Sequence, residues 1–157
     1  MYRSLIYKVA LSVVAFDQIT KWIAVRQLEG EPSVQVLGNF LKFGLVRNPG
    51  ASFSMGTNMT IVFTIFAICV SAFIVYQSST VTHRVWAIAA GGFLGGAVGN
   101  LVDRIFRSPG VFRGHVVDFI TLPNYPLFNV ADSAVVLSAI AIVILSIRGI
   151  EFNQETK

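Results

Sequence analysis

Four apolar runs divide the chain, at about Ser4–Val25, Met59–Gln77, Val85–Phe106 and Phe128–Ile147. Each approaches the roughly 20 residues that a helix needs to cross a bilayer. The second run is uncharged. The third is built on small residues, with Gly91, Gly95 and Gly99 one turn apart and Gly92 and Gly96 beside them, a spacing that lets helix backbones approach closely. The first has a basic start and an apolar stretch, as a cleaved signal peptide would. It lacks a small-residue cleavage site and runs on into Asp17-Gln18-Ile19-Thr20-Lys21-Trp22, so a retained span is expected. Residues 27–58 are not apolar enough to span. Leu41, Phe43 and Leu45 alternate there with Lys42, Gly44 and Val46 between the turn formers Gly38-Asn39 and Asn48-Pro49-Gly50, which predicts a short amphipathic sheet on the membrane surface. The expected architecture is an all-α membrane protein: a four-transmembrane-helix bundle in one domain over 1–157, with a small β segment between helices one and two and a loop over 107–127.

Composition agrees with the pattern. At 54% hydrophobic, 13% charged and mean hydropathy +0.69, the chain is too apolar for a soluble domain of 157 residues. The net charge of +4 is scattered along the loops, which argues against nucleic-acid binding. Cys69 is the single cysteine, so no intrachain disulfide and no metal-ligand spacing exist. Its position in the second run suits a small packing residue. Four spans put Arg3, Lys8, Arg84, Arg148 and Lys157 on one side and Lys21, Arg26, Lys42, Arg47, Arg104, Arg107 and Arg113 on the other. The positive-inside rule does not choose between these faces.

The aspartates change the picture. Asp103, Asp118 and Asp132 fall within Gly91–Ser133, and Asp17 lies inside the first run. An acid at mid-span costs roughly 2.5 to 3.5 kcal/mol even on the lenient insertion scale, so each is a candidate site residue. Each also has a plainer reading. Asp17 and Lys21 are spaced for an i,i+4 pair, while Lys21 and Trp22 suit an interfacial helix end where lysine snorkels. Asp103 and Arg104 can be a helix-end charge pair beside Asn100, Asn48 and Gly50 turn formers, and Asn129 with Asp132 an N-cap and a first-turn acid. The alternation of connections nevertheless carries the end of span one, the surface segment, the end of span three, Asp118 and the start of span four to one face. Asp118 and Asp132, fourteen residues apart around Pro123 and Pro126, can meet there. Two carboxyl groups held together do not both ionise easily, so one can serve as acid while the other serves as base toward water. No serine or cysteine has a convincing base beside it.

The chain resembles the lipoprotein signal peptidases, the type II bacterial signal peptidases, through four blocks in order. These are Asp17-Gln18-x-Thr20-Lys21; Asn48-x-Gly50-Ala51-x-Phe53; Gly95-Gly96-Ala97-x-Gly99-Asn100-x-x-Asp103-Arg104 with Gly114-x-Val116-x-Asp118-Phe119; and Phe128-Asn129-x-Ala131-Asp132-Ser133. The resemblance implies an intramembrane aspartic endopeptidase in which Asp118 and Asp132 are the catalytic pair. It implies that Asn48, Gly50, Asn100, Asp103, Arg104, Asn129 and Ala131 support the site or hold substrate, with Asp17 and Lys21 in its structural surround. It further implies a β-cradle in the surface segment, a site facing outward from the bacterial cell membrane and both termini in the cytoplasm. The implied partners are membrane lipid and a prolipoprotein signal peptide with a diacylglyceryl-cysteine, cut just before that cysteine. No metal and no cofactor are implied, globomycin is the implied inhibitor, and a monomer is expected. In one place the chain departs from the family's pattern: Ile105 to Arg113 lengthens the gap before Gly114, which specifies Asp118 less tightly than Asp132. A four-helix transporter or proton-conducting protein would also bury acids, but along a path open to both sides.

Overall fold

The computed structural model describes residues 1–50 and 59–153. Its elements are α1 (Arg3–Leu28), β1 (Val34–Leu37), β2 (Leu41–Asn48), α2 (Met59–Gln77), α3 (Arg84–Phe106), β3 (Val116–Thr121) and α4 (Val130–Ile147). Three helices, Thr60–Gln77 within α2, α3 and α4, are long and apolar enough to cross a membrane. The longest helix, α1, carries Arg3, Lys8, Asp17, Lys21 and Arg26, and buries Asp17 and Lys21 against the other helices.

The glycines of α3 make it the axis of the bundle. A Cβ on Gly91 or Gly95 would lie 2.7 Å from the carbonyl oxygen of Ile6 or Ala10, so this stripe receives the backbone of α1. Gly92 and Gly96 do the same for α4, meeting Ser138 and the Ala131 carbonyl. Gly99 lies where the three helices converge, with Asp17 and Ala131 against it. Two adjacent glycine stripes thus let one helix hold two others at backbone contact. By contrast α2 has α3 as its one partner among the described helices and strands, and leaves Phe66, Phe73 and Tyr76 outward. Cys69 is exposed on this helix, which corrects the expected packing role: α2 is apolar all round, and residue type does not reveal its buried face.

The sheet is larger than the sequence pattern predicts. β1 and β2 form the hairpin expected in 27–58, but β3 completes an antiparallel sheet of order β1-β2-β3. The β segment is therefore not confined to the connection between helices one and two. Val117 and Phe119 of β3 pack with Ala24 and Leu28 at the end of α1, joined by Phe43 and Leu45 of β2. By the two-residue period of a strand, Asp118 points to the opposite face. After β3 the chain turns through 122–127 and returns to pair with it: Phe128 accepts from and donates to the Ile120 backbone at 2.9 and 3.1 Å. That short return sets the start of α4 beside the middle of β3.

Candidate active site

Asn129 joins the two candidate carboxyl groups. It is fully buried and caps α4: its Oδ1 accepts from the Asp132 backbone N–H at 2.9 Å, and the Asp132 carboxylate accepts from the Asn129 N–H at 3.2 Å. This reciprocal box satisfies two of the helix's free donors and fixes the Asp132 side chain. The Asn129 amide is left to point across the return loop. Its Nδ2 donates to Asp118 Oδ1 at 2.7 Å and also lies 3.1 Å from Asn100 Oδ1. The capping predicted for Asn129 and Asp132 is present, and the same asparagine reaches Asp118.

Each carboxyl group has a second amide. Asn48, at the end of β2, donates from Nδ2 to Asp118 Oδ2 at 2.8 Å, and Asn100 of α3 donates to Asp132 Oδ1 at 2.7 Å. Asn48 also keeps its turn role, because its Oδ1 accepts from the Gly50 N–H at 2.8 Å. Gly50 there has φ +101°, a conformation that side chains disfavour. Ala51 and Phe53 of the same block lie outside the described residues. Burial pushes the Asp118 carboxyl up to about 6; the charge of Asp132 acts in the same direction, against the two amide donors.

Behind the amides lies an ionic cage. Lys21 Nζ lies 2.9 Å from Asp17, 2.8 Å from Asp103 and 2.9 Å from Asn100 Oδ1, so its three donors are all used. Lys21 is fully buried, so the predicted snorkelling is wrong and the i,i+4 pair with Asp17 is right. Two acids and an amide replace the water that the ammonium gives up. Trp22, its neighbour, is exposed and stacks under Arg26 instead. Asp17 Oδ1 accepts from the Ala131 N–H at 2.9 Å, which pins α1 to the first turn of α4. Asp103 Oδ2 accepts from the Val117 N–H at 3.1 Å, next to Asp118. The partners of Asp103 are Lys21 and Arg107, not the adjacent Arg104 that the sequence suggested, because consecutive helical residues do not face each other. Arg104 is buried, donates to the Gly114 carbonyl at 3.4 Å and lies in the field of Asp103, Asp118 and Asp132.

Every candidate residue named from the sequence falls in or against this cluster. Three contributors were not among them. Gln18 donates to Asp17, to the Gly99 carbonyl and toward Asp103. Arg107 pairs with Asp103 at 2.6 Å from within the inserted stretch. Gly114 is packed so tightly on the carbonyls of Asp103, Arg104 and Arg107 that no Cβ fits. Both Gln18 and Gly114 stand inside the motif blocks, so their signal was present; Arg107 had none beyond its charge. Beside the pair, a cleft of about 330 Å³ lined by Leu122, Tyr125, Phe128, Val136 and Leu137 reaches Asp132 and Ser133.

These features define a helical membrane protein with a buried carboxyl group, Asp118, joined through Asn129 to a half-buried one, Asp132, that borders an apolar cleft. The family model described as "Signal peptidase (SPase) II" matches residues 9–148. A lipoprotein signal peptidase of Rhodococcus jostii is 46% identical over 149 residues, 95% of this chain and 75% of that protein. One of Streptomyces griseus is 46% identical over 151 residues, 95% of this chain and 77% of that protein. A solved bacterial membrane enzyme superposes with a TM-score of 0.77 at 28% identity, covering 95% of this chain and 91% of that one. The chain belongs to the signal peptidase II family.

Proposed function

We propose that this chain is the membrane endopeptidase that removes signal peptides from prolipoproteins, and that Asp118 and Asp132 are its aspartic pair. The observation that carries the reading is Asn129, which ties both carboxyl groups through one side chain and one N–H. Charge supports it. Asp17, Asp103, Asp118 and Asp132 face Lys21, Arg104 and Arg107, so the buried cluster is neutral when the pair holds one proton. Burial disfavours an uncompensated charge, which selects that state.

One shared proton suits direct hydrolysis. Asp132, held in the first turn of α4 where an anion is favoured, takes a proton from water as the water oxygen attacks the scissile carbonyl carbon. Asp118, the protonated partner, gives its proton to the carbonyl oxygen, forming a tetrahedral diol. Collapse of the diol breaks the C–N bond, and the proton now on Asp132 passes to the leaving nitrogen. Asp118 recovers its proton from the diol hydroxyl, which restores the starting state.

The family's substrate fits the surroundings. The cleft beside Asp132 is apolar and suits an acyl-bearing cysteine next to the bond that is cut. In this reading α1 is a fourth span, both termini are cytoplasmic, and 27–58 and 107–127 face outward from the cell membrane. The protein acts as a monomer on a prolipoprotein whose cysteine already carries diacylglycerol, cutting just before it. Detergent-purified protein given lipidated and unlipidated prolipoprotein should cleave the lipidated form alone. Failure to cleave either form would overturn the assignment; equal cleavage of both would remove the lipid from recognition.

A further inference from the structure

Arg107 is the outermost member of the charge cluster. It stands just past the end of α3, at the C-cap, and its Nε donates to Asp103 Oδ1 at 2.6 Å. Its side chain is 23% exposed, while Asp103 is fully buried. Asp103 in turn accepts from Lys21 and from the Val117 N–H. Arg107 therefore touches neither candidate carboxyl group; it meets the cage through Asp103. Without it Lys21 alone would face Asp17 and Asp103, and the cage would be one negative charge in excess.

We propose that Arg107 is a positioning residue of the site: it closes the charge balance of the Asp17–Lys21–Asp103 cage, holds Asp103 on β3, and so sets the pH window in which Asp118 and Asp132 share one proton. The inference rests on the aspartic-pair reading above. The charged groups facing the pair are Asp17 and Lys21 from α1, Asp103 and Arg104 from α3, and the two acids themselves from β3 and α4. β2 supplies the neutral Asn48, since its Arg47 is turned to Glu29 at the surface and its Lys42 lies at the other end of the strand, opposite Thr121. Arg113 is exposed, and half-buried His115 is the further titratable group on the connecting loop.

Removing a cation near a buried pair raises the pair's hold on its proton. A unit charge roughly 10 to 15 Å from a titrating group shifts it by about one pH unit at the effective dielectric of protein sites, and by less where solvent screens it. Arg107→Gln keeps a donor for Asp103 but loses the charge. The alkaline limb of kcat/KM should therefore move up by about half a pH unit or more, and Arg107→Lys should restore it. His115→Gln, measured in parallel, should leave that difference in place. A merely structural role would lower the rate at every pH without moving the limb. Salt supplies a second measurement on the unaltered protein, because ions screen the partly exposed Arg107 more than the buried members. The wild-type limb should rise from low to high salt, and the Arg107→Gln limb should not. A limb unmoved in folded Arg107→Gln overturns the proposal, as does an equal shift in Arg107→Lys. If Arg107→Gln does not fold, a wild-type limb insensitive to salt overturns it. A wild-type profile with no alkaline limb would overturn the shared-proton reading instead, so the two failures are distinct.

Discussion

Lys21 shows how a single residue's role depends on what surrounds it. A lysine near a helix end beside tryptophan reads as an interfacial anchor, and only the convergence of Asp17, Asp103 and Asn100 on its ammonium makes burial tolerable. That convergence involves α1 and α3 together, which local sequence does not encode. Lys21→Met would take the cation from buried Asp17 and leave Asp103 with Arg107 alone, a loss on the order of 3 to 5 kcal/mol. Thermal unfolding in detergent should report it as a large drop in midpoint. Asp103→Asn is milder, since the amide keeps an acceptor for the Val117 N–H; weakened folding with partial cleavage activity is expected. Asp118 carries a pH signature. Its carboxyl, raised to about 6 in the folded protein, binds its proton more tightly there than in the unfolded chain. The associated stability is fully present below the unfolded value near 4 and is lost as pH rises through about 6, about 3 kcal/mol in all. Thermal midpoints measured across that range should fall with rising pH in the wild type and flatten in Asp118→Asn. The free-enzyme cleavage rate should lose its alkaline side over the same interval, as the singly protonated pair is lost.

At the scale of elements, α3 was legible because its glycine spacing has one strong physical use. The structure adds that the two stripes serve different partners, α1 and α4. Gly99→Ala places a methyl group 2.9 Å from Asp17 Oδ2 and 3.2 Å from the Ala131 Cβ, at the point where the cage meets α4. Overpacking of this kind costs about 1 to 3 kcal/mol. Here it should also cut activity, by shifting Asn100 and Asp132 relative to each other. An equal loss of stability without loss of activity in Gly91→Ala, which meets α1 far from the site, would be the expected contrast. β3 was not legible. Its first four residues are buried, so Val116-Val117-Asp118-Phe119 shows no alternation of apolar and polar positions, and a short apolar run alone does not distinguish strand from helix. Its partner strand was readable because β2 is only half covered and its sequence sets Leu41, Phe43 and Leu45 at every second position. The inserted stretch was visible as an irregularity, but the pairing of Arg107 with Asp103 depends on how the chain leaves α3.

For the whole molecule, the motif blocks foretold the meeting of the polar residues, since each block sits at an element end that the alternating connections bring to one face. What they could not supply is the joint itself: the return of Phe128 to Ile120 that carries Asn129 to Asp118. The acids gather at one end of the bundle and do not mark a path through it, which favours hydrolysis over transport. The outward orientation belongs to the proposed function and rests on the family resemblance. A cysteine replacing Ser33, exposed just before β1, should react with an impermeant reagent in whole cells; reaction only after the membrane is opened would reverse the topology. The central claim is that two carboxyl groups joined through Asn129 perform the cleavage. Its most direct measurement is the cleavage of lipidated prolipoprotein by purified Asp118→Asn and Asp132→Asn, each first shown to unfold cooperatively in detergent. Loss of at least about a thousandfold in rate is expected for each, because either change removes one half of the acid and base pair. Near-normal cleavage by either folded variant would contradict it.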